Sequence, residues 1–428
     1  MIPSLKGIVG RARTLRQSKA IWSLTDQGIV SLGNFFTNIL LARNLPQVDY
    51  GNYLLIYGVI IFLNSIHTSI IVYPLSVKGS VADIAELRKL SANYLVFTSL
   101  LALICSIGVL GSALAIGKSH VVPLAVAALL FWQMQETVRR ALMSHLRYSE
   151  AVWGDGLSYV GQAMLVLFLA QKGWLSIEST FFVIALTSAL AALVQSLQLQ
   201  LKSIDSQSLW NTARVSWNLG KWNLLGSITA IANIHATPWI LAIYHGTGET
   251  AAVQAVINIL GASNPVIVST NNLVVPSVAK ANLDGGMKAV KQVALKYTIQ
   301  GGLLLFPFFG LLGLFPRQVL ELMYGSNSPY LNLDNVLRLF VLAYTLLYLS
   351  QIPSGILGGL EKTKSAFIGQ MGSVTSSLLI GIPLIVQMGA FGAGISSILA
   401  AFFRIFINVL QIQKIQIDKT KSTSDLKK

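Results

Sequence analysis

The chain has few charged residues and almost no cysteine. Charged side chains make up 11% of its 428 residues, whereas hydrophobic side chains make up 54%. Soluble proteins carry about 25% charged residues, and the mean hydropathy here is +0.65. This composition excludes a sizeable soluble domain and indicates a membrane protein with many spans. The single cysteine, Cys105, cannot form a disulfide, a zinc site or an iron–sulfur site within the chain.

Acidic residues are also scarce, with 16 Asp and Glu against 31 Lys and Arg. A basic excess can indicate nucleic-acid binding, but here it is spread over short loops on one face, so no nucleic-acid partner is expected. The segment GSALAIGKS (111–119) has five residues between its glycines, where a phosphate-binding loop needs four. We therefore expect no nucleotide and no other cofactor.

Long apolar runs are abundant. Each is about 20 residues long, enough for a helix to cross ~30 Å of hydrocarbon. The break between the last two runs depends on Gly389, Gly392 and Gly394. Twelve transmembrane helices are predicted, at 20–42, 51–77, 93–116, 122–144, 153–171, 179–200, 221–244, 250–278, 291–315, 333–360, 366–388 and 389–412.

Basic residues alternate between the two faces of the membrane. One face, which includes both termini, carries 25 Lys and Arg, and the other carries five. Because basic residues are retained in the cytoplasm, both termini are predicted to be cytoplasmic. The predicted parts are a basic tail (1–19), a first lobe (20–200), a cytoplasmic linker (201–220), a second lobe (221–412) and a second basic tail (413–428).

The second six runs repeat the first six at an offset close to 200 residues. Farther along, the segment 141–155 parallels 356–370. A duplicated six-helix plan predicts an all-α protein whose two pseudo-symmetric lobes surround a central cavity and work by alternating access. The matched pairs include Trp22 with Trp222, Ala42 with Ala242, Asp49 with Glu249, Asn64 with Asn264, Arg147 with Lys362, Ala151 with Ala366, and Gly154 with Gly369.

Residues 20–80 resemble the opening of a known transporter family. The segment SLGNFFTNILLARNLPQVDYGNYLLIYGV (31–59) contains Ala42-Arg43-Asn44-Leu45 and then Tyr50-Gly51-Asn52-Tyr53, and YPLSVKG (73–79) follows. This pattern is similar to that of Wzx-type polysaccharide (O-antigen) flippases of the multidrug/oligosaccharidyl-lipid/polysaccharide (MOP) exporter superfamily. The resemblance implies movement of an undecaprenyl-pyrophosphate-linked oligosaccharide across a bacterial inner membrane, for surface polysaccharide such as lipopolysaccharide. It also implies a polysaccharide polymerase and a chain-length regulator as partners.

Polar side chains within the spans are candidates for a substrate cavity. In span 1, Gln27, Ser31, Asn34 and Asn38 share one helical face. Amides and hydroxyls offer the donors and acceptors that sugar hydroxyls need. The alternative is that they form interhelical hydrogen bonds worth about 0.6–2 kcal/mol each, and His67 is equally suited to packing. The other candidates are Asn64, His67, Asn233, Thr237, Asn258 and Asn264.

Charged side chains within spans are costly and call for a reason. Arg404 is isolated in the last span and suits a pyrophosphate, which a guanidinium can bind with two hydrogen bonds; alternatively, it snorkels to the membrane surface. In the first lobe, a proton- or sodium-coupling site is predicted from Asp26, Glu136 and Asp155, with Arg140 as the alternating partner. The alternative is a static cluster of ion pairs, which would also include Arg139.

Other functions remain open at this stage. A cation-coupled multidrug exporter of the same superfamily would share the helical plan. A lipid II flippase usually has two more helices. A membrane glycan polymerase or glycosyltransferase belongs to another class, and such enzymes generally carry a large external loop. No predicted external loop here exceeds roughly 20 residues, so a transporter is favoured over an enzyme.

Overall fold

The architecture comes from a computed structural model that describes residues 19–201 and 206–425, without the side chains of 19, 20, 24, 206–208, 222, 225–235, 271, 272, 363 and 417–425. All regular structure in these ranges is helical. Eight helical stretches there are long and apolar enough to cross a membrane. Two of them, Thr247–Leu314 with 68 residues and Lys364–Gln416 with 53, are long enough to cross it twice. The predicted all-α polytopic membrane fold is confirmed.

The two longest stretches are broken at glycines. Gly285 and Gly286 leave helical geometry in the first stretch, and Gly389 does so in the second. The break between the last two spans therefore falls at one of the glycines on which the prediction depended. With these breaks, the described residues contain twelve long helices: α1 (Lys19–Asn44), α2 (Gln47–Gly79), α3 (Ile84–Ala115), α4 (Val122–Ser144), α5 (Tyr148–Gln171), α6 (Ile177–Leu199), α7 (Ser206–His245), α8 (247–284), α9 (287–314), α10 (Asp334–Gly359), α11 (363–388) and α12 (390–425).

The chain divides into two compact units, Met1–His235 and Ala236–Lys428, so the division falls within α7. In the first unit, α4 packs against α3 and α6, and α1 packs against α5. The outer face of α3 exposes Leu103 and Ile107, each 70% accessible. Such a face suits contact with lipid tails, which are as apolar as these side chains. The buried core near one end of this unit contains Ile71, Leu75, Leu87, Tyr94, Val138, Ala141, Leu142, Ala151 and Leu199.

Three helices contain a π-helical turn, in which an extra residue widens the coil. The turns are Thr68–Val72 in α2, Gly156–Val160 in α5 and Ser377–Gly381 in α11. Two of them therefore lie in the fifth helix of each six-helix half. Turns of this kind are rare and are often found at functional sites.

The backbone repeats the duplication in detail. Leu146 and Glu361, which end the fourth helix of each half, both adopt left-handed geometry, with φ of 57° and 60°. The next amide closes the same hydrogen bond in both halves, from Arg147 to Leu142 and from Lys362 to Leu357. Both pairs are 215 residues apart, the offset that relates 141–155 to 356–370. The same connection has thus been kept in both halves.

In the second unit, polar contacts hold the break at Gly389. His245 at the end of α7 places Nε2 at 2.9 Å from the carbonyl oxygen of Ile385 and 3.0 Å from that of Val386. Glu249 in the first turn of α8 accepts the amide of Ala390, at 2.8 Å. The last carbonyls of α11 and the first amide of α12 are thereby satisfied, as helix ends within a membrane require.

Candidate functional site

The first unit contains a buried cluster of charges built around Arg139. Its guanidinium lies 2.7 Å from Asp26 Oδ2, 3.0 Å from Glu136 Oε2 and 2.5 Å from Asp155 Oδ2. Asp26 belongs to α1, Glu136 and Arg139 to α4, and Asp155 to α5. None of the four is more than 9% exposed. One guanidinium thus ties three helices together through three carboxylates.

Helix geometry explains part of this arrangement. Glu136 lies three residues before Arg139 and four before Arg140, so α4 brings its carboxylate to both arginines. Glu136 Oε1 accepts from Arg140 Nε at 2.6 Å, and the Arg140 side chain is 41% exposed. Arg139 is therefore the buried centre, and Arg140 holds the edge.

Neutral amides complete the surroundings of Asp155. Its Oδ1 accepts from Gln135 Nε2 at 3.4 Å and from Gln195 Nε2 at 3.3 Å. The Gln135 carbonyl in turn accepts from Ser158 Oγ at 2.9 Å. Asp155 is the last residue before the π-helical turn of α5. Both of its oxygens therefore have partners, in a setting that the helix irregularity helps to shape.

The charges of the cluster do not balance. Three carboxylates face two guanidiniums, which leaves one negative charge in excess when all are ionised. Among the described residues, Asp26 Oδ1 is buried and has no hydrogen-bond partner. An uncompensated charge in a buried site is costly, so the cluster is suited to bind one further positive charge. The described residues contain no group of three or more His, Cys, Asp or Glu side chains placed to hold a metal ion.

His67 does not line a cavity in this structure, contrary to the expectation from the sequence. It is fully buried, and its Nε2 lies 3.3 Å from Thr98 Oγ1 and 3.0 Å from Thr137 Oγ1. Each threonine hydroxyl also donates to a main-chain carbonyl of its own helix, at 2.9 Å, so His67 is the donor to both. His67 therefore joins α2 to α3 and α4, one residue away from Glu136.

The polar stripe of α1 is partly satisfied within its own helix. Gln27 donates to Ser31 Oγ at 3.2 Å, and Asn38 donates to the carbonyl of Asn34 at 2.8 Å. Asn34 also lines a cavity of about 10 Å³ together with Trp132, Tyr159 and other residues of the first unit. That volume suits about one water molecule, not a sugar. Asn64 in α2 has a buried Oδ1 without a hydrogen-bond partner among the described residues.

The other candidates belong to the second unit or lie outside the described side chains. Asn258 is buried and accepts from Gln254 at 2.9 Å, Thr237 is half-buried and Asn264 is exposed. The side chains of Asn233 and of its neighbours Thr229 and His235 lie outside the described part of the structure. Arg404 is half-buried and has no ion pair among the described residues.

The second half carries an uncharged counterpart of the cluster. At the offset of 215 residues, Glu136, Arg139 and Asp155 correspond to Gln351, Ser354 and Gln370. A buried amide from the sixth helix of each half reaches this position. Gln195 Nε2 donates to Asp155, and Asn408 Nδ2 donates to Ser354 Oγ at 2.9 Å. The duplication has thus kept the place but not the charge.

The same two amides rest against matched glycines. A Cβ on Gly154 would overlap Gln195, and a Cβ on Gly369 would overlap Asn408. These glycines form one of the pairs that revealed the repeat in the sequence. The spacing signal was therefore sufficient to find the uncharged counterpart, had it been applied to Glu136, Arg139 and Asp155.

Comparisons with known proteins agree with this architecture. No family model matches the chain, and no curated protein matches its sequence. An inward-facing multidrug resistance MATE family transporter of the MOP superfamily is 12% identical, with 92% of this chain and 98% of that chain covered and a TM-score of 0.69. The lipid II flippase MurJ, in an inward closed conformation, is also 12% identical, with coverage of 92% and 87% and a TM-score of 0.72. A MOP superfamily transporter from Pyrococcus furiosus is 13% identical, with coverage of 92% and 95% and a TM-score of 0.58. The chain therefore has the fold of MOP superfamily transporters and is a multi-pass membrane protein.

Proposed function

We propose that the protein is a proton-coupled flippase for an undecaprenyl-pyrophosphate-linked oligosaccharide in the inner membrane of a bacterium, with both termini in the cytoplasm. The observation that carries this proposal is the buried Arg139 cluster within a fold shared with a lipid II flippase. The flippase supplies surface-polysaccharide assembly, where a polysaccharide polymerase and a chain-length regulator use its product.

The cluster couples transport to protons through Asp26. Both oxygens of Glu136 and of Asp155 accept hydrogen bonds, whereas Asp26 uses only Oδ2. A proton on Asp26 removes the excess negative charge and weakens the attraction between this carboxyl and Arg139. Since Asp26 is the only residue that α1 contributes to the cluster, α1 is then freer to move relative to α4 and α5.

A proton suits this cluster better than sodium. A sodium ion needs several oxygen ligands around one point. Here the point shared by Asp26, Glu136 and Asp155 is already occupied by the Arg139 guanidinium, which lies within 3.0 Å of all three carboxylates. A proton needs only one oxygen, and Asp26 Oδ1 provides it.

Arg404 binds the pyrophosphate in this proposal. It has no carboxylate partner among the described residues, so its donors are available to a phosphate, which a guanidinium binds well. The amides of α1 and α8 bind the sugars, and the polyprenyl chain stays in the lipid.

The test is deletion of the gene in its host, followed by complementation. Loss of surface glycan with lipid-linked repeat units accumulating on the cytoplasmic side supports the flippase. Plasmid-borne Arg404→Ala and Asp26→Asn are then expected not to restore the glycan. Arg338→Ala is the matched control, because Arg338 is exposed and bonds only to its own surroundings at the start of α10, and it should restore the glycan fully.

A multidrug exporter is the second candidate, because the MATE family transporter has a similar fold and a proton-binding cluster serves either substrate. Normal surface glycan in the deletion strain, together with new sensitivity to cationic drugs, would establish this alternative. Repeat units that accumulate on the periplasmic side would indicate a polymerase and contradict both transport proposals.

A further inference from the structure

The second unit contains a groove of about 410 Å³ between α9, α10 and α12. This volume lies in the range of about 300–1,000 Å³ that is typical of sites for small ligands. One wall is the aliphatic face of α10 and the other is that of α12. The wall residues are Leu349, Ile352, Pro353 and Ile356 from α10, and Ile405, Val409 and Ile412 from α12.

The polar lining is concentrated at one end of the groove. Lys291 lies in the first turns of α9, and Gln413 and Gln416 lie where α12 leaves the membrane. Lys291 is exposed and takes part in none of the ion pairs among the described residues. Lys288 and Lys414 are close by in sequence and are also exposed. This end therefore belongs to the lysine-rich face, which is predicted to be cytoplasmic.

We propose that this groove binds an anionic phospholipid of the cytoplasmic leaflet, with its phosphate at Lys291 and one acyl chain between α10 and α12. A long apolar wall that ends in a cation and two amides matches the order of groups in such a lipid, from chain to headgroup. Basic pockets between membrane helices on the cytoplasmic side are suited to anionic headgroups.

The chemistry of the lining argues against other occupants. A glycan needs polar partners along its length, and the walls of this groove are aliphatic. A cationic amphiphile would place its charge next to Lys291. A zwitterionic lipid fills the walls equally well but gains less from Lys291, so the positive charge favours a lipid with net negative charge. The bound lipid is a resident of the protein and is separate from the transported substrate.

The test is native mass spectrometry of the purified protein with phosphatidylglycerol or phosphatidylcholine added. The unsubstituted protein should retain one phosphatidylglycerol in preference to phosphatidylcholine. Lys291→Ala should weaken that binding about fivefold, the effect of one lysine near an anionic headgroup, and Ile352→Trp should abolish it by filling the groove. Lys288→Ala is the matched control, because Lys288 does not line the groove, and it should bind as the unsubstituted protein does.

Three results would overturn the proposal. Equal retention of the two lipids would remove the role of charge, and equal losses in Lys291→Ala and Lys288→Ala would mean diffuse attraction to the basic face. Displacement of phosphatidylglycerol by undecaprenyl phosphate at equal concentration would assign the groove to the polyprenyl chain. Lys291→Ala changes an exposed side chain and is expected to fold, so a loss of binding in this variant reports on the site.

Discussion

Replacement of Arg139 by glutamine should destabilise the first unit strongly, because it removes the shared partner of three buried carboxylates. Removal of one partner from a buried ion pair costs about 3–5 kcal/mol, since the remaining charge is left without compensation. After Arg139→Gln, only the partly exposed Arg140 would face three carboxylates. The expected loss in the free energy of unfolding is therefore at least about 3 kcal/mol, more than a hundredfold in the folded-to-unfolded ratio.

The matched control is Arg140→Gln. Arg140 contacts only one of the three carboxylates, and its side chain is 41% exposed. Water screens such a pair, and its removal costs about 1 kcal/mol or less. The two arginines are adjacent in sequence and carry the same charge, so any difference between the variants reports on burial and on the number of partners.

Cys105 provides the assay. It is the only cysteine in the chain, it is 5% exposed, and it lies on α3, which packs against α4. A thiol-reactive fluorophore added during heating in detergent should therefore respond when the first unit unfolds. Arg139→Gln should shift this transition to lower temperature far more than Arg140→Gln does.

A double variant sharpens the test. Arg139→Gln with Asp155→Asn removes one of the unpaired carboxylates, so it should be more stable than Arg139→Gln alone. Contacting residues in one network show coupling energies of about 0.5–3 kcal/mol. Equal shifts for Arg139→Gln and Arg140→Gln, or strictly additive effects in the double variant, would refute a cluster centred on Arg139.

Three further predictions concern the backbone and the helix ends. Gly154→Ala and Gly369→Ala should each cost about 1–3 kcal/mol, because the added methyl group overlaps Gln195 or Asn408; Gly156→Ala, with open space around its Cβ position, should cost less in the same thermal assay, and equal losses would contradict the packing. Leu146→Gly and Glu361→Gly should raise stability by about 0.5–1 kcal/mol, because each residue is held at positive φ; a lower transition temperature for both would count against the left-handed turns. Glu249→Ala should cost about 1–2 kcal/mol through loss of the bond to the Ala390 amide, whereas Glu321→Ala on the exposed face of the short helix Pro316–Tyr324 should have little effect, and equal effects of the two would argue against the cap.

Much of the fold could be predicted from the chain alone. The length of the apolar runs predicts helices that cross a membrane, because an unpaired peptide group in hydrocarbon is costly and a helix pairs its own. Glycines predict the break between α11 and α12, since Gly389 adopts a positive φ that other residues avoid. The repeat predicts equivalent turns after α4 and α10, and Leu146 and Glu361 adopt the same conformation there.

The partners of the intramembrane charges needed the tertiary structure. The sequence placed Asp26, Glu136, Arg139, Arg140 and Asp155 within the spans and favoured Arg140 as the alternating partner, because it shares a helical face with Glu136. Helical spacing specifies which residues of α4 share a face, but not which face meets α1 or α5. Arg139 is 113 residues away from Asp26, and only the packing of the helices brings them together.

The sequence by itself therefore determined what lies in the membrane, where the helices end and which positions are duplicated, since these follow from hydropathy, local backbone geometry and spacing. The tertiary structure decided that Arg139 is the centre of the charge cluster and that His67 packs against Thr98 and Thr137. It also decided that Lys291 lies at the end of an apolar groove. Each of these depends on contacts between helices far apart in the chain, and helix period and composition do not specify such contacts.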